Sequence, residues 1–242
     1  MLETTRESKK HNNRGSSDAD DSLGLAEAAV GLSTAASLYR LIDPAAELQK
    51  PRGAYVQFVK PLLDFTFALL FSVLLLPAAL LIALLIKLDS KGPIIFKQPR
   101  YGKNGTVFHI YKFRTMYSSV PTQGRSPVSG NDARITRLGK ILRKTSLDEI
   151  PQLLNILRGE MSFIGPRPEQ KRIVEEQYTD KEKVRFLVTP GITGLWQISP
   201  DRKAPIHENL QHDIQYIQHV SFLLDLKIFM NTFIVMIKSN TH

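Results

Sequence analysis

The chain has 242 residues, 43% of them hydrophobic, and a formal net charge of +9 at neutral pH. It contains no cysteine, which excludes disulfides, thiolate metal sites and thiol nucleophiles and fits a reducing compartment. The charge is uneven: residues 1–50 hold six Lys/Arg against eight Asp/Glu, whereas residues 51–242 hold 26 against 15. A basic body of this kind meets nucleic acid, anionic lipid or phosphorylated small molecules, and charge alone does not choose among them.

Residues 1–22 are polar and predict disorder, and the Ala/Leu-rich residues 23–42 predict a weak helix with no assigned function. The polar first residues argue against a cleaved leader. The run FTFALLFSVLLLPAALLIALLI, Phe65 to Ile86, carries no charge. At about 1.5 Å per residue it would reach about 33 Å, the thickness of a bilayer core. It is therefore expected to be membrane-embedded. Pro77 lies midway, removes a helix hydrogen bond and predicts a kink. Two topologies follow, a kinked span or a bend that returns to the face of origin. Arg52 and Lys60 precede the run, and Lys87, Lys91 and Lys97 follow it, so the positive-inside rule does not force a crossing. Asp64 is expected to pair with Lys60 at i,i+4 spacing.

Beyond the membrane run, GPIIFKQPR and TVFHIYKFRTM flank an Asn104-Gly105 turn, which predicts a β-hairpin. Residues 118–131 read as a Ser/Pro/Gly-rich loop. ITRLGKILRK predicts a basic amphipathic helix with Ile135, Leu138, Ile141 and Leu142 on one side. Glu169–Val188 predicts a charged helix. Phe222, Leu226, Phe229, Met230, Phe233 and Ile237 recur at helical spacing; Asp225, Lys227 and Asn231 interrupt them, as suits an interface or core better than a span. The expected fold class is mainly α with a small β-hairpin (α+β). It divides into an N-terminal extension over 1–50, a membrane segment over 51–88 and a compact domain over 89–242.

The stretch KTSLDEIPQLLNIL carries adjacent carboxylates, Asp148 and Glu149, approached by Arg134, Arg137, Lys140, Arg143 and Lys144. Ser146-x-x-Glu149 fits a capping box, with Asp148 where a negative charge favours a helix N-terminus, and local pattern alone favours that reading. Chemistry offers another. A carboxylate attacks phosphorus only if it is ionised and the phosphate charge is neutralised. Arg143 and the helix start are expected to keep Asp148 ionised, and Glu149 suits Mg²⁺, a hard cation that takes carboxylate and phosphate oxygens. In GPRP, Gly165–Pro168, two prolines fix the backbone around Arg167, whose guanidinium suits bidentate phosphate recognition.

Three segments carry a resemblance: KFRTM (Lys112–Met116), TSLDEIPQLLNILRGEMSFIGPRP (Thr145–Pro168) and PGITGLWQ (Pro190–Gln197). Together they resemble the bacterial sugar transferase family, the monotopic polyprenyl-phosphate phosphoglycosyltransferases, from about Lys60 to Lys238. The resemblance implies transfer of a sugar-1-phosphate from a nucleotide diphosphate sugar, usually a UDP-sugar, to undecaprenyl phosphate. UMP is released through an aspartyl–phosphosugar intermediate, with Mg²⁺. By motif it makes Asp148 the nucleophile and Glu149 the Mg²⁺ ligand. It makes Arg143, Arg167, Lys112, Arg114, Arg202 and Asp213 phosphate- or substrate-binding residues.

It also implies a re-entrant helix broken at Pro77, with the compact domain on the cytoplasmic face of the bacterial inner membrane. Downstream glycosyltransferases and a second copy of the chain are candidate partners, and such enzymes start exopolysaccharide, capsule or O-antigen assembly. Leu76 before Pro77, Pro61 after Lys60, Ala133, and Pro200–Arg202 depart from the family pattern. The competing reading, a membrane-anchored protein that grips nucleic acid, lacks any recognisable nucleic-acid module and leaves the acid pair unexplained.

Overall fold

The computed structural model describes residues 48–120 and 132–239, which belong to one compact unit, Leu48–His242. The expectations for residues 1–42 and for most of the 118–131 loop lie outside the described residues. A π-helical turn, Tyr55–Val59, runs directly into helix α1, Lys60–Leu74. Leu75 interrupts the rod, and α2 continues from Leu76 to Asp89. Pro77 sits in the first turn of α2, where a missing N–H goes unnoticed, so the break falls two residues before it. Tyr55–Leu74 is the one helix among the described residues long and apolar enough to cross a membrane, with mean hydropathy 1.5.

One stripe of this helix faces the protein. Ala68 is fully buried against Phe108, Ile110, Leu153 and Ile156, and Phe71 meets Phe163 edge-on at 6.0 Å. Asp64 Oδ1 accepts from the Phe163 amide at 3.1 Å. Lys60 lies 3.9 Å from Asp64, but its closer partner is distant in sequence: Nζ donates to Asp225 Oδ2 at 2.7 Å. Tyr55 Oη and Tyr216 Oη also donate to Asp225, at 2.6 and 2.8 Å. On α2, Ile82 and Ile86 pack with Phe113 and Leu142. The opposite faces expose Leu62, Leu70, Val73, Leu80, Leu84 and Leu88, an apolar surface of the kind that meets lipid.

The hairpin forms as expected: β1, Ile95–Tyr101, pairs antiparallel with β2, Val107–Phe113. Asn104 and Gly105 take φ of 56° and 73° at the turn, the left-handed pair that matches strand twist. Helix α3, Arg137–Thr145, is capped by the Thr136 side chain, which accepts from the Gly139 amide at 2.9 Å. Ile135, Leu138 and Leu142 turn inward, but Ile141 is exposed, so the apolar side is narrower than the spacing predicts. A 3₁₀ segment, Leu147–Gln152, follows and leads into the short α4, Leu153–Leu157.

Two features escape local pattern. Strand β3, Ser162–Ile164, pairs in parallel with β4, Gly191–Thr193. The segment expected as one helix over 169–188 is instead α5, Lys171–Gln177, and a 3₁₀ turn, Glu182–Leu187. The rod breaks where the Glu182 carboxylate turns back to accept from the Thr179 amide and hydroxyl and where Arg185 is drawn into the interior. Helix α6, Leu195–Ile198, 3₁₀ turns at Pro200–Lys203 and Ile206–Glu208, and α7, Gln211–His219, lead to α8, Phe222–Ser239. The face of α8 bearing Asp225 and Ile228 is buried, while Phe222, Leu223, Met230 and Phe233 are exposed. All six residues whose spacing predicted the helix, Leu226, Phe229 and Ile237 included, are exposed, so the stripe that suits an interface points outward and the buried face is the one that bears the interrupting Asp225.

The β3–β4 seam depends on glycine. A Cβ on Gly191 would lie 2.1 Å from the Gly165 amide nitrogen, and one on Gly194 would lie 2.3 Å from the Gly165 carbonyl oxygen. Gly191→Ala is expected to destabilise the protein by at least about 1–3 kcal/mol, because backbone cannot yield as a side-chain end can. Thermal unfolding of the detergent-extracted protein checks this, and an unchanged Tm would contradict the close approach.

Candidate active site

The acid pair is set by a reversal of the chain rather than by a capping box. Ser146 ends α3 in the left-handed conformation, φ 57°, and its side chain makes no cap. Its carbonyl accepts from the Glu149 amide at 3.1 Å, which starts the 3₁₀ turn. The Glu149 carboxylate does not reach back to Ser146. Two cations hold it instead, and charge-assisted bonds outcompete a neutral cap.

Asn155 registers the segment against the hairpin. Fully buried, it donates to the His109 carbonyl at 2.7 Å and accepts from the Tyr111 amide at 3.1 Å, as a neighbouring strand would. That alignment brings Lys112, one residue further along β2, to Glu149 Oε1 at 2.5 Å. Arg167 Nη2 reaches the same oxygen at 2.9 Å. Burial pushes the Glu149 carboxyl up, but Lys112 and Arg167 together outweigh it and hold the group well below the ordinary carboxylate range. Burial likewise holds Lys112 and Arg143 below their usual values, and Glu149 raises Arg167.

Asp148, the neighbour, is buried yet makes no hydrogen bond or ion pair among the described residues. Burial raises its pKa, with Lys112, Arg143 and Arg167 pulling the other way and Glu149 adding to the rise. Arg143 is thus one of three cations that favour the ionised form, as expected of it, but desolvation is the larger effect. Arg143 Nη1 is also buried without a partner.

Asp148, Lys112 and Arg143 line two cavities at once. The first, about 600 Å³, is walled by Phe71 and Leu75 of the membrane helix, by Phe163 and Ile192, and by Val235 and Met236 of α8. Glu149 and Arg167 open onto it. The second, about 450 Å³, is bounded by Phe96, Lys97, Arg100, Tyr117 and Arg134.

Five of the residues singled out in the sequence thus converge: Lys112, Arg143, Asp148, Glu149 and Arg167. Three do not. Arg114 is buried and donates to the Pro93 and Ser90 carbonyls, both at 2.6 Å, and to Ile86 O at 3.4 Å, closing the C-terminus of α2. It reaches the second cavity only as part of its wall. Arg202 lies in the Pro200–Lys203 turn and lines neither cavity. Asp213 is buried on α7 and pairs with Arg185 at 2.8 Å. Sequence reasoning missed Asn155 and Arg185, because a side chain that binds backbone far away in sequence leaves no local periodicity.

The donor set limits any metal. Among the described residues no cluster of three His, Asp or Glu exists. An all-protein cage therefore does not fit, whereas a Mg²⁺ that takes one or two carboxylates and draws its other ligands from water and phosphate does.

The acid pair, its three cations and the apolar helices around them define a class: a membrane-associated protein built around a buried carboxylate held ready beside positive charge. The chain belongs to the bacterial sugar transferase family, whose model matches residues 55–239. It is 40% identical over 182 residues to the UDP-N-acetylgalactosamine-undecaprenyl-phosphate N-acetylgalactosaminephosphotransferase of Aeromonas hydrophila, covering 72% of this chain and 43% of that protein. The undecaprenyl-phosphate glucose phosphotransferase of Komagataeibacter xylinus is 37% identical over 191 residues, 74% of this chain and 36% of that one. The exopolysaccharide production protein PSS of Rhizobium leguminosarum bv. phaseoli is 40% identical over 169 residues, 65% of this chain and 84% of that one. The chain thus spans less than half of the first two relatives and most of the third.

Glu149→Gln leaves Lys112 and Arg167 facing each other without their shared anion, and is expected to cost about 3 kcal/mol at neutral pH. A depressed folded-state pKa contributes stability that is present above the unfolded value and lost as pH falls through the folded one. The gap between wild type and variant therefore narrows below about pH 4.3, the ordinary Glu value. Denaturation curves at pH 7 and at pH 3.5 check this, and a gap that widens in acid would contradict the pairing.

Proposed function

We propose that this protein transfers a sugar-1-phosphate from a nucleotide diphosphate sugar, most simply a UDP-sugar, to undecaprenyl phosphate. The observation that carries the reading is the unequal fate of two adjacent carboxylates. Glu149 is neutralised by Lys112 and Arg167, whereas Asp148 is buried, has no ion-pair partner among the described residues and lines both cavities. The names of the relatives supply the substrate class; they differ in the sugar, so the sugar is left open.

In the first step an Asp148 oxygen attacks the β-phosphorus of the nucleotide sugar. The bond from that phosphorus to the bridging oxygen breaks, and the nucleoside monophosphate leaves with the electron pair. In the second step a phosphate oxygen of undecaprenyl phosphate attacks the same phosphorus. The Asp148–phosphorus bond breaks, which restores the carboxylate and yields the diphosphate-linked sugar. Arg143 and Arg167 neutralise the phosphoryl oxygens throughout, and Lys112 fixes Glu149. Mg²⁺, held by the Glu149 carboxylate together with phosphate oxygens, would neutralise charge on the diphosphate.

We infer further that α1 and α2 enter and leave the membrane on one face, with the compact unit on the cytoplasmic side of the bacterial inner membrane. Support comes from both ends of the helical pair. Lys60 is tied to Asp225 at the start of α1, and the α2 carbonyls are tied to Arg114 at its end. The membrane-distal wall of a span would have no such partners. As an initiating transferase, the protein would supply downstream glycosyltransferases with a lipid-linked sugar for exopolysaccharide, capsule or O-antigen assembly.

Asp148→Asn is expected to lower UMP release by at least about a thousandfold, since it removes the nucleophile itself. The test is UMP release by the membrane-extracted protein with Mg²⁺, polyprenyl phosphate and a panel of UDP-sugars. Because burial raises the Asp148 pKa, wild-type activity should fall on the acid side with a midpoint above about pH 3.9, the ordinary Asp value. Full turnover by Asp148→Asn would sink the assignment.

A further inference from the structure

We propose that Arg185 and Asp213 are positioning residues that hold Arg167 in the active site, an inference that rests on the transfer reaction proposed above. Gly165–Pro168 has two prolines and so lacks two of its N–H groups, which leaves the loop to be held by its carbonyls. Every carbonyl from residue 166 to residue 169 is engaged. Pro166 O accepts from the Gly191 amide at 2.9 Å, and Glu169 O from the Tyr101 amide at 3.2 Å. Pro168 O accepts from Arg100 Nη1 at 3.0 Å. Arg167 O accepts from Arg185 Nη2 at 2.6 Å. The backbone of the residue that grips Glu149 is thus fixed by a guanidinium eighteen positions away.

Arg185 is nearly inaccessible, 3% exposed, and its charge requires an internal partner. Asp213, 2% exposed, provides it at 2.8 Å. Its Oδ2 forms no well-aligned hydrogen bond at that distance, so the attraction is mainly Coulombic. Tyr178 Oη accepts from the other arm of the guanidinium. Neither Arg185 nor Asp213 lines either cavity, so neither touches substrate. A buried ion pair is seldom worth more to stability than an apolar pair of equal volume. A forked cation, however, can bind a carbonyl and answer a carboxylate together, which no apolar pair can do. The chain of contact runs from Asp213 to Arg185, to the Arg167 backbone, and through the Arg167 side chain to Glu149 Oε1. Asp213 thereby acts on the site without entering it.

The test is a double-mutant cycle on the full, membrane-extracted chain, read as kcat and as KM for the UDP-sugar in the UMP-release assay. Asp213→Asn is expected to lower kcat roughly tenfold in the wild-type background and less than twofold in an Arg167→Lys background, because coupled residues are non-additive. Because Asp213→Asn strands a buried cation and so threatens folding itself, Arg185→Met/Asp213→Leu serves as the second variant. It removes both charges, is expected to unfold at or above the wild-type Tm, and is expected still to lose roughly tenfold in kcat. Equal penalties in both backgrounds, or wild-type kcat in the folded double variant, would overturn the positioning role. A wild-type protein that turns over alongside such results leaves the functional reading standing; one that releases no UMP under any condition defeats that reading and the proposal with it.

Discussion

Two cations from distant parts of the chain share one oxygen of Glu149, and the rest of the site is arranged around that contact. Lys112 comes from the hairpin and Arg167 from the proline-bounded loop, so the carboxylate is where strand, loop and acid-bearing turn are joined. All three groups are largely withdrawn from water, and each would be costly there alone. Counting Arg143 and Asp148 with them leaves an excess of one positive charge in the unliganded site. A diphosphate supplies the missing negative charge, which is why the cluster suits phosphate transfer better than a purely structural role.

The same contact separates the duties of two neighbouring acids. An acid pair in one low-dielectric pocket resists double ionisation, and a pair with symmetric surroundings would share a proton. Here the symmetry is broken: both acids are desolvated, but Glu149 receives two cations directly while Asp148 receives only their field. The less stabilised carboxylate is the better nucleophile, because little must be broken before it reacts. Glu149 can be regarded as the anchor that keeps Lys112 and Arg167 from pairing with Asp148 and quenching it.

Much of this was legible in the sequence, and the parts that were not have a common physical cause. Asn104-Gly105 announced the hairpin because a left-handed pair restricts residue choice locally, and the apolar run with Pro77 announced a broken membrane helix. Lys112, Arg143, Asp148, Glu149 and Arg167 could be named because they sit in compact motifs. Ser146 misled because the same residue type serves at a helix start and, as here, at a left-handed reversal. Asn155, Arg185 and the parallel β3–β4 seam were invisible because their partners are backbone groups tens of residues away. Arg114 and Asp213 were legible as residues of interest, but their neighbours, the α2 carbonyls and Arg185, could only come from the fold.

The placement of the apolar helices decides what kind of wall each cavity has beside Asp148. Phe71 and Leu75 belong to a helical pair whose other face is apolar and exposed, and Val235 and Met236 belong to α8, which is likewise apolar on its outer side. The larger cavity therefore opens between two elements with apolar outer faces and carries Lys112, Arg143 and Arg167 beside apolar walls, a lining that suits an amphipathic ligand with an anionic head. The smaller cavity has Lys97, Arg100 and Arg134 in its wall and none of the residues of α1, α2 or α8, so its cations suit an anionic ligand. The interruption at Leu75 falls at this wall: Phe71 before it and Leu75 itself line the cavity, while α2 carries on from Leu76 with Leu80, Leu84 and Leu88 exposed, so one apolar rod serves both the cavity and the outer surface.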